Sequence, residues 1–311
     1  MAYDVSTMST SQVIAATDLE RETGLGKDLL RKWRSRYGFP TPIRLGDGSN
    51  GYPKDQVAQL RLIKRLQDSG FRPAQIVGKP LADLDRMASA MACASCTDHW
   101  SPFTRNAIEY LKQHDLRSLQ KSLAEARAQT TLTDFVQNTV APLTVALGEA
   151  WTRNEIEVYQ EHICTDILVR QLHADLDETI AIPGAPKILF ATPHDEHHVL
   201  GILMAQAVLS DLGADCICVG AHIPVEDLSK AVLACQSDIL ALSFSFSYPK
   251  RRIRPLLLQL RKLLPLTVEI WAGGAGAEVV KRPPKGIRIF TTLQGAAGVL
   301  AKRIAQDKGA G

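Results

Sequence analysis

With 311 residues, 45% of them hydrophobic and 22% charged, the chain is long enough to bury two or three cores and too apolar to be disordered throughout. No run approaches the roughly 18–20 apolar residues of a membrane span, and the polar stretch Met1 to Thr10 lacks the apolar centre of a secretion signal, so a cytoplasmic protein without a membrane partner is expected. The net charge of +3 is unevenly placed: residues 1–80 hold 13 Lys/Arg against 8 Asp/Glu and the remainder 23 against 25, so only the first segment is expected to meet a polyanion.

From Ala16 to about Pro80 the pattern is one of short helices and tight turns, with Gly24 and Gly26 ending one helix and Lys27 to Arg36 forming the next. Pro40 to Tyr52 reads as a small hairpin or wing, and Pro53 to Ser69 as a helix burying Val57, Leu60, Leu62, Ile63 and Leu66. Residues 81–101 are small and weakly patterned and are expected to be a linker. From 102 to 179 the apolar residues keep a helical period, through Ile108, Leu119, Phe135, Leu143, Trp151, Ile167 and Leu172, which predicts a four-helix bundle. Beyond Pro183-Gly184, over 185–308, five strands alternate with helices. That alternation predicts a parallel, doubly wound sheet of flavodoxin-like order, so the chain as a whole is multidomain, α followed by α/β.

On the helix Lys27 to Arg36, Leu29, Leu30 and Trp33 take one side while Lys27, Arg31 and Arg34 take another. The run Leu30-Arg31-Lys32-Trp33-Arg34-Ser35-Arg36-Tyr37-Gly38-Phe39-Pro40, followed by a wing with Gly51-Tyr52 and a helix with Leu60-Arg61-Leu62-Ile63, resembles the MerR family of winged helix-turn-helix regulators. The resemblance covers residues 12–78, within a domain expected over 12–80, and implies double-stranded promoter DNA as partner. Lys27, Arg31, Arg34, Arg36 and the wing residue Arg44 are the expected DNA contacts, with Trp33 and Tyr37 as core and corner residues.

Glu196-His197-His198-Val199-Leu200-Gly201 follows the first strand of the sheet, on the loop at its carboxyl end, where an open α/β sheet holds its ligand. Ser243-Phe244-Ser245 ends the third strand and Gly273-Gly274 follows the fourth. Acid-x-His-x-x-Gly in this setting resembles the cobalamin-binding signature. The resemblance implies that His198 coordinates cobalt from below, that Glu196 polarises it, and that Gly201, Ser243, Ser245, Gly273 and Gly274 leave room for the nucleotide tail. His194 and His197 lie close by, but only His198 has a glycine three positions on. Trp151 followed, nine residues later, by Glu161-His162 resembles the pattern of CarH/LitR-type cobalamin-binding repressors. There the bundle caps the upper corrin face, which would put Trp151 against that face, Glu161 beside the adenosyl group, and His162 within reach of cobalt once that group is lost.

The order of domains likewise resembles that of the CarH/LitR-type regulators, and the resemblance implies a non-enzymatic, adenosylcobalamin-dependent repressor. It would bind promoter DNA as a tetramer in the dark and release it as smaller species on photolysis. The alternatives are a light-independent sensor of cobalamin or another tetrapyrrole, and a corrinoid carrier for a methyltransferase, which has no use for a winged helix. Of the six cysteines, Cys93 and Cys96 form a lone C-x-x-C near His99 that lacks a second pair and is expected to be incidental, while Cys216 and Cys218 are expected to pack as small apolar residues.

Overall fold

The computed structural model describes residues 13–46, 48–68, 71–93, 100–153 and 155–309. The chain forms two compact units, divided between residues 97 and 98.

Unit 1 contains β1 (Val13–Ala15), α1 (Leu19–Thr23), α2 (Lys27–Tyr37), β2 (Ile43–Arg44), β3 (Asn50–Pro53), α3 (Lys54–Asp68), α4 (Pro73–Ile76) and α5 (Leu81–Cys93). Its three strands form an antiparallel sheet in the order β1-β3-β2, so the expected wing exists and gains a third strand at Val13–Ala15. Gly24 ends α1 in the left-handed conformation, whereas Gly26 is the residue that opens α2 rather than a second stop. Leu30 and Trp33 of α2 pack with Leu60, Ile63 and Leu66 of α3. The expected linker of residues 81–101 is helical over Leu81–Cys93 among the described residues, because Leu84 is buried in this core and Met87 packs on it. Ala and Met are strong helix formers, and a weak apolar period suffices when two side chains find a core.

In unit 2, α6 (Pro102–Lys112), α7 (Leu116–Ala128), a third helix and α10 (Val158–Asp177) make the four-helix bundle. The third helix runs through α8 (Leu132–Phe135), one π-type turn (Val136–Val140) and α9 (Ala141–Thr152). The sheet follows, with β4 (Lys187–Pro193), α11 (Leu200–Asp211), β5 (Asp215–Ile223), α12 (Val225–Ala234), β6 (Ile239–Ser243), α13 (Lys250–Leu263), β7 (Glu269–Gly273), β8 (Ile287–Phe290) and α14 (Leu293–Gly309). All strand pairs are parallel and the order is β5-β4-β6-β7-β8, the expected flavodoxin-like arrangement. Helix α13 starts at Lys250 and carries Pro255 inside it.

Helix α11, Leu-Gly-Ile-Leu-Met-Ala-Gln-Ala-Val-Leu-Ser-Asp, has no polar face, and the reason is its position. Leu200, Leu203, Ala207 and Val208 belong to the bundle core, while Leu209, with Ala205 and Leu212 beside it, packs under the sheet with Phe190 and Trp271. Asp211 accepts hydrogen bonds from the Thr133 amide at 3.0 Å and the Thr133 hydroxyl at 2.6 Å, tying α8 to the end of α11. Bundle and sheet therefore share one helix. Leu203→Ala is expected to cost about 2–5 kcal/mol and to lower the stability of bundle and sheet together, seen as one urea transition at lower midpoint by both tryptophan fluorescence and far-ultraviolet circular dichroism.

Candidate functional site

In unit 1, burial of Leu30 and Trp33 turns the opposite side of α2 outward, and Lys27, Arg31, Arg34 and Arg36 are all exposed. Lys27, Arg31 and Arg34 line, with Thr17 and Tyr52, a hollow of about 260 Å³. The remaining two expected contacts lie outside it. Arg36 places its guanidinium 5.5 Å from the Tyr37 ring centre, and Arg44 of β2 reaches the Gly48 carbonyl at 3.4 Å. Arg31 is held by Asp28 at 3.1 Å, an exposed pair worth little that phosphate can displace. Trp33 is buried and Tyr37 packs on the same core, as the sequence implies.

In unit 2 the loop between β4 and α11 is organised by one buried carboxylate. Glu196 is 2% exposed; its Oε1 accepts from the His198 amide at 3.1 Å and lies 2.6 Å from His198 Nδ1, and its Oε2 accepts from the Ser245 amide at 2.8 Å. Burial pushes this carboxyl upward, but the hydrogen bonds from His198 and Ser245 outweigh it and hold its pKa at about 2. A carboxylate can only accept, so His198 Nδ1 donates, and the neutral ring keeps its lone pair on Nε2. The side chain is 65% exposed, so an imidazole of fixed tautomer is presented outward from the carboxyl ends of the strands.

Beside this loop lies a cavity of about 530 Å³ between sheet and bundle. Gly201, Ser243, Gly273 and Gly274 line it from the strand ends and α11, and Ala141, Thr144 and Val145 line it from α9. A Cβ on Gly201 would stand 2.6 Å from Ser243 Oγ, and one on Gly274, whose φ is +86°, would stand 2.4 Å from the Phe244 carbonyl oxygen. Both positions need glycine to keep the walls where they are. Ser245 does not line the cavity. Its amide holds Glu196, and its buried hydroxyl makes no hydrogen bond of ordinary geometry.

The bundle's expected residues sit on two helices. Trp151, near the end of α9, is half-buried against the bundle core. Glu161 and His162 are in the first turns of α10, where Glu161 Oε1 accepts from the Thr165 hydroxyl at 2.9 Å and its Oε2 lies 2.6 Å from His162 Nδ1. His162 is 73% exposed, and its ring is held by an acid as that of His198 is.

A third histidine arrangement was not legible in the sequence. Strand β5 runs on past Gly220 to Ile223 and brings His222 between His194 and His197, with ring centres 4.2 and 4.7 Å from theirs. With Asp195, two of these rings form a cluster of metal-ligand type. The hydrogen bonds exclude His222 as a ligand in this arrangement. The Asp195 amide donates to His222 Nδ1 at 2.9 Å, so the neutral ring must carry its proton on Nε2 and has no lone pair left there. The Asp195 carboxylate is taken by Arg252 at 2.6 Å and His194 at 3.0 Å; burial raises its pKa, and these two partners more than reverse the shift. The one signal for His222 was its place at a strand's carboxyl end before Pro224. Burial pushes the Cys216 thiol up to about 12 and also raises that of Cys218, in keeping with packed, inert side chains. The Cys93, Cys96 and His99 side chains lie outside the described residues.

Residues 15–79 match the MerR HTH family regulatory protein family, and residues 105–173, the bundle, match the B12 binding domain. Over 258 residues, 82% of this chain and 86% of the relative, the chain is 29% identical to the HTH-type transcriptional repressor CarH of Myxococcus xanthus. It is 25% identical over 262 residues, 83% of this chain and 85% of the relative, to the HTH-type transcriptional repressor CarA of the same organism. The structure of the Methanosarcina barkeri monomethylamine corrinoid protein superposes on 64% of this chain and 96% of its own, with 14% identity and a TM-score of 0.49.

The Glu196 carboxyl has a folded pKa below its ordinary 4.5, so its contribution to stability is full above that value and is lost as pH falls towards about 2. The difference in unfolding free energy between the unchanged protein and Glu196→Gln should therefore be largest above pH 4.5 and shrink across that window. Urea titrations at a series of pH values measure it, and a difference independent of pH would mean that the carboxyl is not ionised in the His198 and Ser245 contacts.

Proposed function

We propose that this chain, which joins a MerR helix-turn-helix domain to a B12 binding domain, is a transcriptional repressor whose hold on promoter DNA depends on bound adenosylcobalamin and is released by light. The single observation that carries the corrinoid part is the tautomer of His198: the Glu196 carboxylate fixes its proton on Nδ1 and leaves Nε2 able to ligate a transition metal. The surroundings fit the group. The cavity of about 530 Å³ is walled by small and apolar residues, and the glycines at 201 and 274 stand where any Cβ would collide. The repressor part rests on the exposed basic face of α2 and on the similarity to CarH and CarA, both transcriptional repressors.

In this reading His198 would ligate cobalt through Nε2, Gly201, Ser243, Gly273 and Gly274 would admit the nucleotide tail, and Ser245 holds Glu196 in place. Trp151 would pack against the corrin, Glu161 would accept hydrogen bonds from the adenosyl group, and His162 would be a second imidazole available to the metal in the absence of that group. When bound, adenosylcobalamin supplies a cobalt–carbon bond that visible light breaks. Lys27, Arg31 and Arg34 contact DNA through their shared hollow, and Arg36 and Arg44 contact it from outside that hollow. The assembly is a tetramer in the dark and smaller after illumination, because the ligand favours the DNA-competent form and its loss removes that preference. No residue is assigned a turnover role.

Purified protein loaded with adenosylcobalamin in darkness is expected to bind promoter duplex roughly 5- to 150-fold more tightly than the same sample after green light, the usual range of allosteric coupling. Equal affinities would reduce the protein to a light-independent corrinoid sensor, and failure to take up any corrinoid would remove the cofactor altogether. His198→Ala should weaken corrinoid retention. His162→Ala should keep dark binding but alter the absorption spectrum after illumination, and an unchanged spectrum would take His162 out of the response.

A further inference from the structure

The charge of unit 2 is segregated along the chain. Residues 98–245 hold 9 Lys/Arg against 20 Asp/Glu, whereas residues 246–286 hold 9 against 2. The near-neutral sum hides a basic surface, and the structure gathers it. Helix α13 carries six basic residues and no acidic one. Ile253, Leu257 and Leu260 bury one side of it and leave Lys250, Arg251, Arg252 and Arg254 exposed. Arg254 Nη1 donates to the Arg282 carbonyl at 3.2 Å, which joins the helix to the exposed basic loop holding Lys281, Arg282 and Lys285.

Most of this charge is not spent inside the protein. Arg261 is structural, donating to the Val268 carbonyl at 2.6 Å and the Leu264 carbonyl at 2.9 Å, and Arg252 is taken by Asp195. No ion pair of Arg251, Arg254, Lys281, Arg282 or Lys285 occurs among the described residues, and Lys250 stacks 4.4 Å above the Phe246 ring centre. The surface is also concave: His194, Tyr248, Arg251, Arg252 and Gln259 line a hollow of about 470 Å³. Adjacent to it, His222 presents an N–H donor at Nε2 because its Nδ1 accepts from the Asp195 amide. Like charges placed together on one helix, three of them in its first turn where the helix dipole favours anions, cost stability unless something negative covers them.

We infer that this face of the sheet domain is a second nucleic-acid contact, which grips the phosphate backbone of duplex DNA through Arg251, Arg254, Lys281 and Lys285. The partner follows from the chemistry: guanidinium groups and amines spread over a helix and a loop match a repeating row of phosphates, and the exposed Phe246 ring among them carries Lys250 on its face. The contact is independent of sequence. It adds affinity and salt dependence to whatever the winged helix reads, and it lies in the half of the chain whose summed charge gives no sign of it.

The test uses the full chain loaded with adenosylcobalamin in the dark and a long mixed-sequence duplex, with affinity followed by fluorescence anisotropy over a range of salt concentrations. The Arg251→Ala, Arg254→Ala, Lys281→Ala, Lys285→Ala variant is expected to lose at least about tenfold in affinity and to flatten the plot of log affinity against log salt by about 2 to 4, near 0.9 for each phosphate contact removed. The charge-keeping pair Arg251→Lys with Arg254→Lys should retain the slope, and corrinoid uptake should be the same in all variants. An unchanged slope in the fourfold variant overturns the inference. So does a fall in affinity accompanied by a smaller assembly in sedimentation, which would make the face a contact between copies of the chain. Arg31→Ala with Arg34→Ala serves as the separate arm: if it abolishes binding while the fourfold variant does not alter the slope, the winged-helix reading stands alone, and if neither variant alters binding, DNA is not the partner.

Discussion

The burial of α11 on both sides is the constraint on which the placement of the His198 loop depends. A helix with apolar residues all round cannot face water, and here Leu200, Leu203, Ala207 and Val208 enter the bundle core while Leu209 lies under the sheet. The helix starts two residues after His198, so its position fixes where the loop can go. Any change in how the bundle packs must act on α11, and through α11 on the imidazole that precedes it. That shared helix is a physical route from the bundle to the His198 loop, with no long chain of intermediaries.

Chemistry at the loop follows from which groups can donate and which can only accept. Glu196 is surrounded by donors, the amides of His198 and Ser245 and the ring Nδ1, and stays ionised although it is buried. Glu161 plays the same part for His162, with the Thr165 hydroxyl holding its other oxygen. His222 shows the opposite case. A backbone N–H in place of a carboxylate at Nδ1 forces the proton to Nε2, and a ring at the end of the neighbouring strand becomes a hydrogen-bond donor and loses its capacity to hold a metal. The neighbour at one nitrogen decides what the other can do.

Much of this was legible in the chain itself. The period of Leu30 and Trp33 against Lys27, Arg31 and Arg34 places one face in a core and the other in solvent, and the structure keeps that division. Alternation of strands and helices beyond residue 185 led to the parallel sheet and its order. Three elements escaped. Val13–Ala15 is too short to show a period, and Leu81–Cys93 is too rich in small residues to show a stripe, so each is defined only by what it packs against. The end of β5 lay past Gly220, whose φ of +91° breaks the regular pattern that would have carried the strand to His222.

Those three apart, the sequence by itself determined the elements, their order and the residue types at each strand end, because periodicity and turn chemistry are local. It also held the nine basic residues between 246 and 286, but a net charge is a sum and hides how the terms are placed. Only the tertiary structure decided which imidazole nitrogen keeps a lone pair, which glycines face a wall, and which cations share a surface. Those properties belong to pairs of residues far apart in the chain, such as Glu196 with Ser245 or Arg254 with Arg282, and no pattern along the chain records a distance across the fold.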